Sequence, residues 1–303
     1  MRMAELIDTR PVLVTGALGL VGRAVVDRLR ASGALLRCLD AVADPDRQVV
    51  GLDLAQDSWP WPDISFGAIV HCAARLPMKF EGSEAEAAAQ VNRSLDERAI
   101  GEAVRSGAQL IYFSSGSVYG DAQGDIDEDT PVAPKLEYSV DKLAAEKAIA
   151  ARGVAAAIFR LVAPYGERQT RPTVLRRFID SALGNETLRY YGSGARTQDF
   201  LHVDDVAQAV SLAIAKRVRG TWVLASGTAI TMKDLAHRVV KLTASSSRIE
   251  AAGLPDAEEG RRVSYNISRL RSQLGFSPAV SLDEGIERWA ALLRQPRSAG
   301  GPT

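Results

Sequence analysis

The chain has 303 residues, enough for one large domain or two modest ones with a substantial apolar core. Its 37 basic residues balance 37 acidic ones, so no overall field draws in nucleic acid or an anionic membrane; 46% hydrophobic and 24% charged residues exclude a disordered chain, a collagen or a disulfide scaffold. The two cysteines, Cys38 and Cys72, lie in apolar stretches, which points to a reduced, cytoplasmic setting, and the composition predicts neither an export signal nor a membrane span.

Short β-rich runs at 11–15, 34–40, 67–72, 109–114 and 154–161 alternate with helical patterns at 20–31, 83–105 and 138–152. That alternation predicts βαβ units and an α/β fold: a Rossmann-like, doubly wound parallel sheet. After about Ala163 helical patterns dominate, broken by loops at 184–187, 192–194 and 252–260, and they predict a smaller C-terminal substrate-binding region. A helix expected at 203–216 and a strand at 221–225 return to the sheet. The expected division is 1–163 with 197–226 in the sheet domain, 164–196 and 227–295 in the substrate-binding region, and a fraying tail at 296–303.

Directly after the first strand comes Thr15-Gly16-Ala17-Leu18-Gly19-Leu20-Val21-Gly22, and then a helix. Gly16 permits a tight turn, Gly19 lets backbone amides approach a pyrophosphate, and Gly22 lets the helix pack close to the strand, with the helix start favouring the phosphate charge. Such a turn can also serve only to pack a helix on a sheet. Asp40 ends the second strand, where a carboxylate suits the ribose hydroxyls and repels a 2′-phosphate; with Ala41 and Val42 next in the chain, NAD is favoured over NADP. An aspartate there can equally be a turn-former. Asp53 and Leu54, after the next apolar run, are placed at the adenine edge.

Tyr138 and Lys142 stand at i and i+4 of a helix beginning after Pro134, on one face. At about 4 Å and an effective dielectric near 20, the ammonium attracts a phenolate by about 4 kcal/mol, about three pKa units before desolvation. A tyrosine so acidified becomes a general base for a hydroxyl proton. The bare pattern also suits a surface Tyr and Lys. The fourth strand ends in Ser114-Ser115-Gly116-Ser117, small hydroxyl residues where such sheets bind ligands, with Ser115 placed to hydrogen-bond the reacting oxygen. Three widely separated histidines give no zinc spacing, so no metal is expected, and His71 reads as the end of a buried strand.

These motifs, with His71-Cys72-Ala73-Ala74, Tyr165-Gly166, the run from Asp199 to Val206 and Leu274-Gly275-Phe276, resemble the extended short-chain dehydrogenase/reductases, in particular the NAD-dependent nucleotide-sugar epimerases and dehydratases, over nearly the whole chain. The resemblance implies NAD held by Gly16, Leu18, Gly19, Leu20, Val21, Asp40, Asp53, Leu54, Ala73, Ala74, Tyr138 and Lys142. It implies catalysis by Ser115, Tyr138 and Lys142, with Tyr138 as acid/base, and a substrate held by Ser115, Ser117, Arg196 and Arg262. His202 and Asp204-Asp205 are read as structural. Gly116 and Ser117 stand where dehydratases of this kind carry acids, which points to oxidation and reduction at one carbon. Ala163-Pro164 replaces a common asparagine and Gln198 a common arginine, altering two grips on a substrate diphosphate. The expected activity is an NAD-dependent epimerase of a nucleotide sugar, of the UDP-glucose 4-epimerase type, ahead of a sugar ketoreductase or dehydrogenase and of a non-catalytic dinucleotide-sensing protein. Expected partners are a small-molecule substrate and a second copy, through small-residue faces at 85–105 and 144–152 that could equally pack on the sheet; no nucleic acid or membrane partner is expected.

Overall fold

The computed structural model describes residues 9–295; the tail expected to fray at 296–303 lies outside them. Seven strands form one sheet: β1 (Val12–Thr15), β2 (Leu36–Asp40), β3 (Val49–Gly51), β4 (Ala68–His71), β5 (Gln109–Ser115), β6 (Ala156–Leu161) and β7 (Gly220–Leu224). Their spatial order is β7-β6-β5-β4-β1-β2-β3, and each neighbouring pair is parallel. The chain winds outward in both directions from β1 and β4, so a crevice opens at the carboxyl ends of those two strands.

Side chains alternate across this sheet. Val12 and Val14 of β1 enter one core with Ile111 and Phe159, covered by α1 (Leu20–Ala31) and α5 (Val203–Lys216). Leu13, Ile69, Leu110 and Tyr112 enter the opposite core, beneath α2 (Ser83–Ser106) and α3 (Glu137–Ala151). The stripe Ala85, Ala88, Asn92, Asp96, Ala99 and Ala103 of α2 is buried, so most of its small residues are used against the sheet. Two polar residues, Asn92 and Asp96, lie within that stripe.

The second half builds a third core from α4 (Val174–Leu183), α6 (Met232–Leu242) and α8 (Leu282–Arg294), with Phe178, Leu235 and Trp289 fully enclosed. α7 (Ser268–Leu274) instead packs its Leu270 and Leu274 into the first core. The helix at 203–216 and the returning strand near 221–225 are where the pattern put them. Four short ladders were not anticipated: Pro164–Tyr165 with Leu201–His202, Leu188–Tyr190 with Ile249–Ala251, Thr197–Asp199 with Ala229–Thr231, and Gly124–Ile126 with Val263–Tyr265. The third of these ties a stretch assigned to the sheet domain to the C-terminal region, and the fourth draws a segment of the first half across to it. Among the described residues no helix is long and apolar enough to cross a membrane.

Candidate active site

The turn after β1 is built by close approach. Gly16 has φ +66°, and a Cβ on it would lie 2.6 Å from the backbone nitrogen of Ala73, so the loops leaving β1 and β4 touch there. A Cβ on Gly22 would stand 1.9 Å from the carbonyl oxygen of Gly16, which holds α1 against the turn. Gly19 begins α1 in an extended conformation, with no side chain capping the helix and no acid in its first turn. The free amides of that turn are thus open to an anion. Asp40 Oδ2 accepts the Leu18 amide at 2.8 Å, placing the carboxylate beside the turn. These residues fit a dinucleotide: a cradle closed to any side chain, uncapped amides for its pyrophosphate, and a carboxylate whose second oxygen suits a ribose hydroxyl. Asp53 is committed locally, its Oδ1 accepting the Ala55 amide at 3.0 Å. Leu54 is 6% exposed and packs in the core with Leu13 and Leu39.

Ser115 ends β5, and its hydroxyl lies 2.8 Å from that of Ser117 while accepting the Ser117 amide. Two residues earlier in the same strand, Phe113 packs against Phe159, and the intervening Ser114 hydrogen-bonds Glu146 of α3, which pairs with Arg160 of β6 at 2.8 Å. That buried pair fixes α3 against the strand end. Tyr138 and Lys142 lie in the first turns of α3.

Lys142 is 4% exposed. Its ammonium donates to the Tyr112 hydroxyl at 3.0 Å and reaches Asp96 Oδ1 at 3.5 Å. The Asp96 carboxylate also accepts the Tyr112 hydroxyl at 2.7 Å and meets His71 Nε2 at 3.1 Å, while His71 Nδ1 lies 2.8 Å from the Thr15 hydroxyl. The two ring nitrogens of His71 thus bridge the Thr15 hydroxyl and the Asp96 carboxylate. His71 therefore ends its buried strand, as the sequence implied, but also joins the turn after β1 to the lysine.

The Tyr138 ring packs on Phe80 with centroids 5.4 Å apart, and Phe80 in turn lies under the Arg171 guanidinium at 5.7 Å. Arg171 holds this loop through the carbonyls of Leu76, at 3.0 Å, and Pro77. Here the expected acidity of the phenol needs correction. Burial raises the Tyr138 pKa above its ordinary value by more than the pull of Lys142 lowers it, and the Asp96 charge adds to the rise.

A cavity of about 150 Å³ lies between the sheet and the C-terminal region. Ser115, Gly116, Ser117 and Ala163 line one side; Arg196, Gln198, Arg261 and Tyr265 line the other. Tyr138 and Lys142 are not among the lining residues. Arg196, expected to meet a substrate phosphate, lines the cavity but is already paired with Asp256 at 2.8 Å and Glu258 at 3.3 Å. Arg261 takes the lining position, and Arg262 does not line the cavity. Ala163 has φ +26°, in the region that asparagine tolerates better.

The model of the NAD dependent epimerase/dehydratase family matches residues 12–225. The chain belongs to that family. A dTDP-glucose 4,6-dehydratase of Streptomyces griseus is 26% identical over an alignment of 319 residues, covering 96% of each chain. The methionine adenosyltransferase 2 subunit beta of Mus musculus is 30% identical over 304 residues, covering 95% of this chain and 90% of its own. The UDP-glucose 4-epimerase of Thermus thermophilus, solved in complex with NAD, shares the fold with a TM-score of 0.83 at 23% identity, covering 94% of this chain and 99% of that one. As a member of the epimerase/dehydratase family, the protein is an NAD-dependent enzyme of the extended short-chain dehydrogenase/reductase type.

Within this family member, the residues that motif reading passed over are Asp96, Tyr112, Phe80 and Tyr265, while Arg171, one of the arginines available for a substrate phosphate, is instead committed to the loop over Phe80. Asp96 carried a signal, a carboxylate at helical spacing within the alanine stripe of α2. Tyr265 carried a fainter one, the apolar-polar-apolar alternation Val263-Ser264-Tyr265. His202 caps α5 by accepting the Asp204 amide, and Asp205 accepts the amides of Ala279 and Val280. Their roles are in holding the chain together.

Proposed function

We propose that this enzyme is an epimerase of a nucleotide-activated sugar, inverting one carbon by removal and return of hydride. The observation that carries the reading is the packing at Gly116. A Cβ there would stand 2.9 Å from Val162 Cγ2 and 3.4 Å from the Tyr265 hydroxyl, so the position beside Ser115, which lacks the carboxyl side chain of a typical elimination, would take one only if Val162 gave way. NAD, held by the turn from Gly16 to Val21 with Asp40, supplies reversible hydride chemistry. The protein's own part is proton handling. Ser115 orients the sugar hydroxyl, Tyr138 accepts its proton as the carbonyl forms and returns it on the way back, and the Lys142 charge stabilises the phenolate that precedes the first transfer and follows the second. Ser117 is assigned to the substrate, with Arg261, paired with Glu258 at 2.6 Å, and Arg196 contributing as far as their carboxylate partners allow.

The test uses the full chain, NAD, and UDP-glucose or dTDP-glucose in D₂O, followed by NMR. The expected product is the 4-epimer with its original C4 proton. A 6-deoxy-4-keto product carrying solvent deuterium at C5 would mark an elimination and overturn the reading.

A ketoreductase is the second reading. It is favoured by the Tyr138 phenol, held protonated by burial and so ready to donate to a carbonyl. Oxidised or reduced dinucleotide accumulating in step with product identifies it. The mouse relative is named as a subunit of another enzyme; against a purely dinucleotide-sensing role for this chain weighs the retention of both Tyr138 and Lys142. Pairing of two copies through α2 and α3 is proposed on the exposure of Val104 (54%) and Val140 (47%), and the mass in solution decides it.

A further inference from the structure

α2 puts a carboxylate on its buried, alanine-rich face. Asp96 is 4% exposed, inside the core that α2 and α3 form against the sheet. Isolated burial of a carboxylate costs several kcal/mol, so the residue persists only with partners that neutralise it. Those partners come from each element packed around it: His71 from β4, Tyr112 from β5 and Lys142 from α3. The Lys142 ammonium is held on two sides, by the Tyr112 hydroxyl and by Asp96, while its Nζ sits 4.6 Å from the centre of the Tyr112 ring.

We propose that Asp96 is a positioning residue: its buried carboxylate anchors the Lys142 ammonium through the Tyr112 layer and thereby limits how strongly that ammonium withdraws the proton of Tyr138. This rests on the assignment of Tyr138 and Lys142 given above. A lysine alone beside a tyrosine favours the phenolate; a lysine already paired with a carboxylate favours it less, because the two opposite charges partly cancel at the phenol. The charged and titratable groups acting on Tyr138 are then Lys142 from its own helix, Asp96 from α2 and Arg171 from the loop covering Phe80. Of these, Asp96 alone favours the protonated phenol. The consequence is a tyrosine that keeps its proton until a dinucleotide or substrate is bound, with the hydrogen-bonded line Thr15, His71, Asp96 tying the lysine to the turn that receives the dinucleotide.

The test is a ¹³Cζ-tyrosine NMR titration of the full chain with NAD, the Tyr138 signal being assigned by its loss in Tyr138→Phe. Asp96→Asn and Asp96→Ser both remove the charge, and the serine variant serves if the asparagine variant does not fold. In either, the Tyr138 midpoint is expected to fall by about one pH unit, a tenfold change in proton affinity, whereas in Lys142→Met it rises by at least as much. A midpoint moved by less than about 0.3 unit in the Asp96 variants, with Lys142→Met still raising it, would overturn the role of Asp96 and leave the Tyr138 and Lys142 pairing intact. No rise in Lys142→Met would overturn that pairing, and the proposal with it.

Discussion

A methyl group is enough to test the dinucleotide turn. Alanine at position 22 would bring its Cβ within 1.9 Å of the Gly16 carbonyl, which cannot move without displacing the loop against Ala73. Gly22→Ala is expected to weaken NAD binding about a hundredfold, about 2.7 kcal/mol by calorimetric titration. Ala163 presents the reverse case, an alanine held at φ +26°. Ala163→Gly is expected to stabilise the fold by about 1 kcal/mol in denaturant unfolding, because the left-handed conformation is free of penalty for glycine. The three glycines and Asp40 were legible in the sequence because each answers a local backbone or strand-end requirement. The acidity of Tyr138 was not legible. Spacing places Lys142 one turn away, but only the fold buries the phenol and brings Asp96, from a distant helix, to divide the lysine's charge.

At the scale of the element, α2 carries a charge whose ionisation is tied to folding. Burial pushes the Asp96 carboxyl up, yet Lys142, His71 and the Tyr112 hydroxyl together outweigh it and hold the pKa at about 2, against an ordinary 3.8. A carboxyl lowered on folding contributes stability above its ordinary pKa, and loses that contribution as pH falls through the folded value. Urea unfolding between pH 6 and pH 2 should therefore show a loss of about 2 kcal/mol in the wild type that is missing from Asp96→Asn. Asp199 and Asp205, both raised by burial, act in the opposite sense and are common to the two proteins. The helices of the first half were legible because their apolar stripes run for three turns or more. The short ladders were not, since three residues such as Val263–Tyr265 carry little periodicity and their partner, Gly124–Ile126, lies far away in the chain. β3, visible in the sequence only as an apolar run, is a strand because it completes the sheet edge beside β2.

For the whole molecule, a ligand bound across the carboxyl ends of β1, β2 and β4 adds to the few hydrogen bonds, such as Leu18 to Asp40 and Thr15 to His71, that join those strand ends. NAD at about a hundred times its Kd should add about 2.7 kcal/mol and raise the melting temperature by about 5–10 °C. NADP should do so by less than half, because Asp40 opposes a 2′-phosphate; equal shifts would remove Asp40 from the ribose site. The central claim is that Tyr138 carries the proton in an NAD-dependent reaction at a sugar carbon. Its most direct test is the rate of UDP-glucose epimerisation by Tyr138→Phe, with NAD affinity measured on the same sample. The expected result is a fall of about a hundredfold or more with NAD still bound; turnover within a fewfold of wild type would contradict it.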